Sequence, residues 1–303
     1  MSLEAGLQRL WYGPRWLSLP FWPLGWLYRA VVAARRALYR SRLLPIKRIQ
    51  IPVVVVGNLT VGGTGKTPVA AWLARQLGLR GHKVGVVLRG YGGRVVGQPR
   101  VVTPSSDPTE VGDEAVLHAL RGPCVVVVGA DRVAAARRAA EAGAEIVVCD
   151  DGLQHLRLAR DFEIAVVDAA RGLGNGQLLP AGPLREPPGR LEHVDAVVLT
   201  ERGDPAAHSV EPRLPLVATA RLRLGDAVNL VSGEHRALDS FRQAPLHAVA
   251  GIGNPGAFFD GLRAAGLDIV AHPLADHAAL DVATLPFPVA TTVLMTEKDA
   301  VKC

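Results

Sequence analysis

Short runs of β-branched and other apolar residues recur along the chain, at Val53–Val56, Val84–Leu88, Val125–Val128, Ile146–Val148, Ile164–Val167 and Ala196–Leu199. Runs this short and this uniformly apolar read as strands covered on both faces, as in a parallel sheet. Between them, apolar positions fall three and four apart. After the first run, Val69, Trp72, Leu73 and Leu77 mark the inner side of a helix, and Arg132–Ala142 reads as another. Strands alternating with helices predict an α/β fold, a mostly parallel sheet with helices on both faces, over residues 49–215. Arg94–Thr103 reads as an edge hairpin.

Around Pro212–Pro215 the composition changes. Arg221–Glu234 alternates around a Gly-Asp turn, which predicts a two-stranded connector over 216–236. His247–Ile252, the turn Gly253-Asn254-Pro255 and a helix over Phe258–Ala265 then open a smaller second α/β lobe, 237–303.

Residues 1–48 follow neither period. Aromatic residues Trp11, Trp16, Phe21, Trp22, Trp26 and Tyr28 interleave with Pro14, Pro20 and Pro23, and a basic helix, Arg29–Arg42, follows. The longest charge-free stretch, Trp16–Tyr28, is about half of what a bilayer-spanning helix needs. Charge sharpens this picture. The net charge of +6 is an average over unlike parts: residues 1–50 hold nine Arg/Lys against one acid, while the remainder holds 25 against 27. A basic surface spread over the body would suit nucleic acid; a basic, aromatic arm suits an anionic membrane surface. The expectation is an interfacial helical arm, no nucleic-acid partner, and a monomer. Cys124, Cys149 and Cys303 show no paired spacing, in keeping with a reducing compartment.

The chemistry centres on GNLTVGGTGKTP, residues 57–68. A buried strand, a glycine-rich turn and a helix make a phosphate loop, in which successive N–H groups and the helix N-terminus face one anion. The pattern G-x-x-x-x-G-K-[ST] is met except that Thr60 takes the place of the first glycine, giving the variant GG-x-GK-T. Thr60, Val61, Gly62, Gly63, Thr64, Gly65, Lys66 and Thr67 therefore form the candidate nucleotide loop. Lys66 is placed for the β/γ-phosphates and the Thr67 hydroxyl for Mg²⁺. Ile146–Val148 leads to Cys149-Asp150-Asp151, and an apolar strand ending in aspartate beside a phosphate loop is a usual Mg²⁺ holder. Two adjacent acids also repel unless a cation lies between them. Asp113 and Glu114 open a helix; such acids either complement the helix dipole or hold a carboxylate near the phosphates. Residues 171–186, dense in Gly and Pro, form a loop of the length that tends to carry function, with Arg171 and Arg185 as candidates for an acceptor's phosphate or sugar.

Across nearly the whole chain these landmarks resemble one family, the tetraacyldisaccharide 4′-kinases of lipid A biosynthesis. The resemblance is carried by GNLTVGGTGKTP (57–68), LRGYGG (88–93), VGDE (111–114), DDGLQH (150–155), GNGQLLPAGPLRE (174–186), AVNLVSGE (227–234), AGIGNPGAFF (250–259), ADH (275–277) and TEKDAVK (296–302). It implies a P-loop kinase lobe and a second lobe, with transfer of the ATP γ-phosphate to the 4′-hydroxyl of an acylated, anionic glucosamine disaccharide at the cytoplasmic face of the inner membrane. It also implies that Asp113 pairs with His277 to activate that hydroxyl, that Lys66 serves the phosphates, and that Thr67, Asp150, Asp151 and Glu114 act with Mg²⁺. Ala278 stands where the family often has a second histidine or an aromatic, and the family usually continues for another strand after TEKDAVK. A membrane-recruited ATPase switch with a deviant phosphate loop is the competing reading, although such loops carry an extra lysine where this chain has Val61.

Overall fold

The structure, a computed structural model of the protein, describes residues 3–94, 97–202, 216–242, 246–275 and 291–303. Two helices lead, α1 (Leu3–Tyr12) and α2 (Trp22–Arg40), with a 3-10 turn between them. The main lobe follows as β1 (Val53–Gly57), α3 (Lys66–Leu79), β2 (Val84–Leu88), β3 (Arg100–Val102), α4 (Pro108–Val111), α5 (Asp113–Leu120), β4 (Val125–Val128), α6 (Arg132–Glu141), β5 (Ile146–Asp150), β6 (Phe162–Asp168), β7 (Ala196–Arg202) and β8 (Leu216–Leu222). These strands form one sheet in the order β3-β4-β2-β5-β1-β6-β7-β8. Only β3, against β4, is antiparallel; the other pairings are parallel.

Strand alternation explains the apolar runs. In β1, Val53 and Val55 join one core layer and Val56 the other; in β5, Val147 and Cys149 face the first layer and Val148 the second. Each strand thus needs apolar residues at consecutive positions because both of its faces are covered. In α3, Val69, Ala70 and Ala74 are buried, but Trp72 is 62% exposed. The predicted inner face was one position too wide: 69, 73 and 77 repeat at the helical period, and Trp72 falls outside that stripe.

Two boundaries differ from the predicted ones. The described part of 94–103 supplies a single strand paired with β4, not a hairpin. Residues 216–222 belong to the main sheet, where β8 pairs with β7 from Ala196↔Leu216 to Arg202↔Leu222. Its alternation, read as a connector, is that of an edge strand. The antiparallel ladder lies further on, β9 (Ala227–Val228) with β10 (His235–Arg236), around a turn closed by Asn229 N donating to Glu234 O at 2.9 Å.

The second lobe is β11 (Leu246–Ala250), α7 (Pro255–Ala264), β12 (Ile269–Pro273), β13 (Val293–Met295) and α8 (Glu297–Ala300). Its three strands are parallel in the order β12-β11-β13, over a core of Leu246, Ala248, Ala250, Phe259, Leu262, Leu267 and Leu294.

The arm has two faces. One rests on the main lobe: Trp11 Nε1 donates to Pro180 O (3.0 Å), Tyr28 Oη to Arg185 O (3.3 Å), and Arg35 to Gln154 O (3.1 Å). Gly25 is buried where a Cβ would lie 3.2 Å from Ala181 Cβ. The other face leaves Leu24, Trp26, Leu27, Val31 and Leu38 exposed, and Trp16 and Leu19 with them. Among the described residues no helix is long and apolar enough to cross a membrane.

Candidate active site

The chain leaves β1 at Gly57 and turns through residues 58–65 into α3. Asn58 is fully buried beneath this loop, its Nδ2 donating to Thr64 Oγ1 (2.9 Å) and to Gly62 O (3.4 Å). From β7, Thr200 Oγ1 donates to Thr64 O at 2.7 Å. The long loop braces the outer side: Val61 N donates to Pro183 O (2.8 Å) and Arg185 N to Leu59 O (2.6 Å). Gly65 has φ +83°, and a Cβ there would lie 2.9 Å from Leu222 Cδ1 and 3.2 Å from Thr200 Cγ2. Only glycine fits a left-handed position so enclosed.

Lys66 opens α3 at the positive end of the helix. Burial works to lower its ammonium, but Asp151, Glu114 and Asp150 outweigh burial and raise it above the usual lysine value. Asp150 ends β5 directly beside β1, in register with Val56. Its carboxylate is buried, with Oδ2 3.1 Å from His118 Nε2 and Oδ1 lacking a hydrogen-bond partner. Burial alone would raise the Asp150 carboxyl; His118, Lys66 and Thr67 outweigh it and hold the group below the usual carboxylate range.

Asp151 turns away from its neighbour. It adopts φ +54°, and its carboxylate meets Arg185 Nη1 at 3.1 and 3.3 Å. The two adjacent acids have separate partners, His118 for one and Arg185 for the other. Among the described residues no group of three or more His, Cys, Asp or Glu is gathered as a metal cluster. The donor set nevertheless fits a magnesium-bound triphosphate, because such an ion takes few protein ligands and is completed by phosphates and water. The unpartnered Asp150 Oδ1, the glycine cradle and the acid-flanked Lys66 all suit that group.

Asp113 and Glu114 occupy the first turn of α5, placed by backbone packing: Gly112 has φ +89°, and a Cβ there would lie 2.7 Å from Tyr91 O. The LRGYGG and VGDE segments thus touch main chain to main chain. The second lobe reaches Asp113 through α8 and the turn after it, with Lys302 Nζ at 3.7 Å and Lys298 Nζ at 3.9 Å from Oδ2; Lys298 also lies 3.5 Å from Glu114 Oε1. Buried Asp299 fixes α8, accepting from Gly251 N (2.9 Å) and Thr296 Oγ1 (2.6 Å). His277, the predicted partner of Asp113, lies outside the described residues.

Two cavities meet here. One, of about 470 Å³, is lined by the phosphate loop, Gly253, Asn254 and residues 296–298, with Leu7, Gln8 and Trp11 of α1 on its wall. The other, of about 540 Å³, runs from Leu88–Tyr91 past Arg132 and His155 to Tyr28 and Arg35 of α2. Tyr91, Glu114, Asp151 and Arg185 line both. In the second cavity, burial, then the charge of Arg132, lowers the His155 imidazole to about 4, and its Nε2 donates to Ala130 O at 3.2 Å.

A family model described as tetraacyldisaccharide-1-P 4′-kinase matches residues 17–303. The chain belongs to the tetraacyldisaccharide 4′-kinase family. It is 46% identical over 305 residues to a tetraacyldisaccharide 4′-kinase of Pseudomonas paraeruginosa, covering 100% of this chain and 90% of that one. A relative of the same name from Nitrosococcus oceani is 46% identical, covering 97% and 85%. Among solved structures, LpxK of Aquifex aeolicus in complex with ATP superposes with a TM-score of 0.78 at 30% identity, covering 94% of this chain and 90% of that one.

Of the residues expected from the sequence, Glu114 and Asp151 line both cavities, Val61–Thr67 line the first and Asp150 the second, while Thr60 and Asp113 stand next to these lining residues. Arg171 instead stacks its guanidinium 5.5 Å from the Tyr12 ring, and a Cβ on Gly62 would lie 3.9 Å from its Nη1. Sequence reasoning assigned no role to Lys298 and Lys302, although TEKDAVK stood out, and gave none to Asn58, His118 or Thr200. Their work is to hold other groups, which spacing along the chain does not reveal.

Proposed function

We propose that the protein transfers the γ-phosphate of MgATP to the 4′-hydroxyl of an acylated, 1-phosphorylated glucosamine disaccharide while seated on the cytoplasmic face of an inner membrane. The observation that carries this reading is the pair of cavities sharing Tyr91, Glu114, Asp151 and Arg185 as a common wall, with the phosphate loop in one and the arm helix bordering the other. A donor and an acceptor placed on either side of that wall meet at Glu114 and the adjacent Asp113.

Residues 60–67 cradle the triphosphate with main-chain N–H groups, and Lys66 supplies a fixed positive charge to the β/γ-phosphates. Thr67, Asp150 and Glu114 would hold Mg²⁺, with Asp151 acting on the site through Arg185. When bound, the ion neutralises phosphate charge and orients the transferring group. Asp113, with His277 as its partner, accepts the proton of the sugar hydroxyl as the new P–O bond forms. Arg35, Arg89 and Arg132, lining the acceptor cavity, suit an anionic substrate. The exposed aromatic and aliphatic face of α2 suits the headgroup level of a bilayer, where an acylated acceptor lies. One chain carries both cavities, which supports action as a monomer.

The direct test is transfer of label from γ-labelled ATP to the lipid disaccharide, run beside ATP hydrolysis without acceptor. Acceptor-independent hydrolysis with no labelled lipid would overturn the reading. Asp113→Ala and His277→Ala are each expected to lower kcat by about 10²–10⁴-fold with little change in ATP affinity.

A further inference from the structure

A continuous set of hydrogen bonds joins the arm to the phosphate loop. Arg36, on the inner face of α2, places Nη1 2.9 Å from Glu186 Oε2. Glu186 is 3% exposed, and its other oxygen accepts from Gln154 Nε2 at 3.0 Å. The same Nε2 donates to Asn58 O at 3.1 Å, and the Asn58 side chain spans the loop to Thr64 Oγ1 and Gly62 O. Arg36 lines neither of the cavities at the phosphate loop. Its effect on nucleotide therefore passes through other side chains.

The physical asymmetry lies at Glu186. A buried carboxylate that loses its guanidinium keeps its charge without compensation, so it recruits other donors or shifts. Arg190 Nε lies 3.6 Å away on the same oxygen, and Arg190 Nη2 already pairs with Glu163 at 2.6 Å. A displaced Glu186 releases Gln154, and Gln154 is the side chain bound to the Asn58 carbonyl where β1 gives way to the loop. Buried polar chains of this kind transmit a change because each member has few alternative partners.

We propose that Arg36 is a positioning residue for the phosphate loop, coupling the seating of the arm helix, through Glu186, Gln154 and Asn58, to the shape in which residues 62–66 hold a triphosphate. The arm is then part of the nucleotide machinery as well as an interfacial anchor. This inference rests on the MgATP reading above.

The test is a double-mutant cycle between Arg36→Met and Asn58→Ala in the full-length enzyme in detergent micelles, reading the Kd of a fluorescent ATP analogue with Mg²⁺. Partition onto zwitterionic vesicles, which reads the apolar face and not charge, is measured alongside. Arg36→Met is expected to weaken analogue binding on the order of tenfold, and the double variant to lose little more than Asn58→Ala alone, the non-additivity of a shared network. Arg36→Lys is expected to restore most of the affinity, and vesicle partition to stay at the wild-type value. Multiplicative effects, wild-type affinity in Arg36→Met, or a parallel loss of vesicle partition would overturn the proposal. If Arg36→Met alone fails to fold, the pair Arg36→Met/Glu186→Gln removes the stranded charge and enters the same cycle. Absence of analogue binding by the wild-type enzyme would instead remove the MgATP reading, which keeps the two failures distinct.

Discussion

Gly65 shows how one position serves both fold and ligand. Its φ of +83° and the 2.9 Å approach that a Cβ would make to Leu222 act together, so Gly65→Ala is expected to cost about 1–3 kcal/mol and to weaken nucleotide binding. Chemical denaturation and a nucleotide titration check both effects. His155 offers a test of the second cavity's electrostatics. Its imidazole titrates near 4 in the folded protein, against about 6.5 in the unfolded chain. Between those values the unfolded chain binds more protons, so this group's contribution is constant above pH 6.5 and is lost as pH falls toward 4. An NMR titration of labelled histidine that placed His155 near 6.5 would contradict the half-buried, arginine-facing setting. At this scale the sequence was legible where a residue's own freedom sets the geometry, as with Gly65 at the entry to α3. It was opaque where the neighbour decides: nothing in Cys149-Asp150-Asp151 reveals that the second aspartate turns left-handed to meet Arg185, 34 residues away.

Among elements, α2 carries the clearest division of labour. Its inner face holds Gly25, Tyr28 and Arg36 against the 154 and 180–186 segments, while Leu24, Trp26, Leu27 and Val31 face outward. Replacing Trp26 and Leu27 together by Ser is expected to lower vesicle partition by about tenfold or more, while nucleotide affinity stays unchanged. Flotation with liposomes and the analogue titration measure the two quantities. The sequence marked this helix as aromatic and basic but not which side would rest on the protein, because proline-interrupted aromatic clusters have no single period. β8 was misread for a related reason. Arg221 and Leu222 alternate with their neighbours equally well in an edge strand and in a connector, and only pairing with β7 distinguishes them. The TEKDAVK segment was visible as a motif, but its purpose, Lys298 of α8 and Lys302 just after it held beside Asp113, depends on how the second lobe meets the first.

For the whole molecule, the mostly parallel sheet followed from uniformly apolar runs, since a strand covered on both faces leaves that mark without help from distant residues. The junction of the two cavities did not, because the residues that line both, Tyr91, Glu114, Asp151 and Arg185, come from four separate segments. The charge distribution has the same logic. The excess of basic residues sits in the arm, so salt is expected to weaken association with anionic vesicles far more than it weakens nucleotide binding. Parallel measurements at low and high ionic strength would show it.

Leu7, Gln8 and Trp11 close one cavity, and Tyr28 and Arg35 close the other. A soluble fragment trimmed of its first 40 residues, the natural choice for inhibitor screening, would present both pockets with a wall removed. Compounds ranked on that fragment would be selected for open troughs, and hits against it would need re-ranking on the complete enzyme in a lipid or detergent environment.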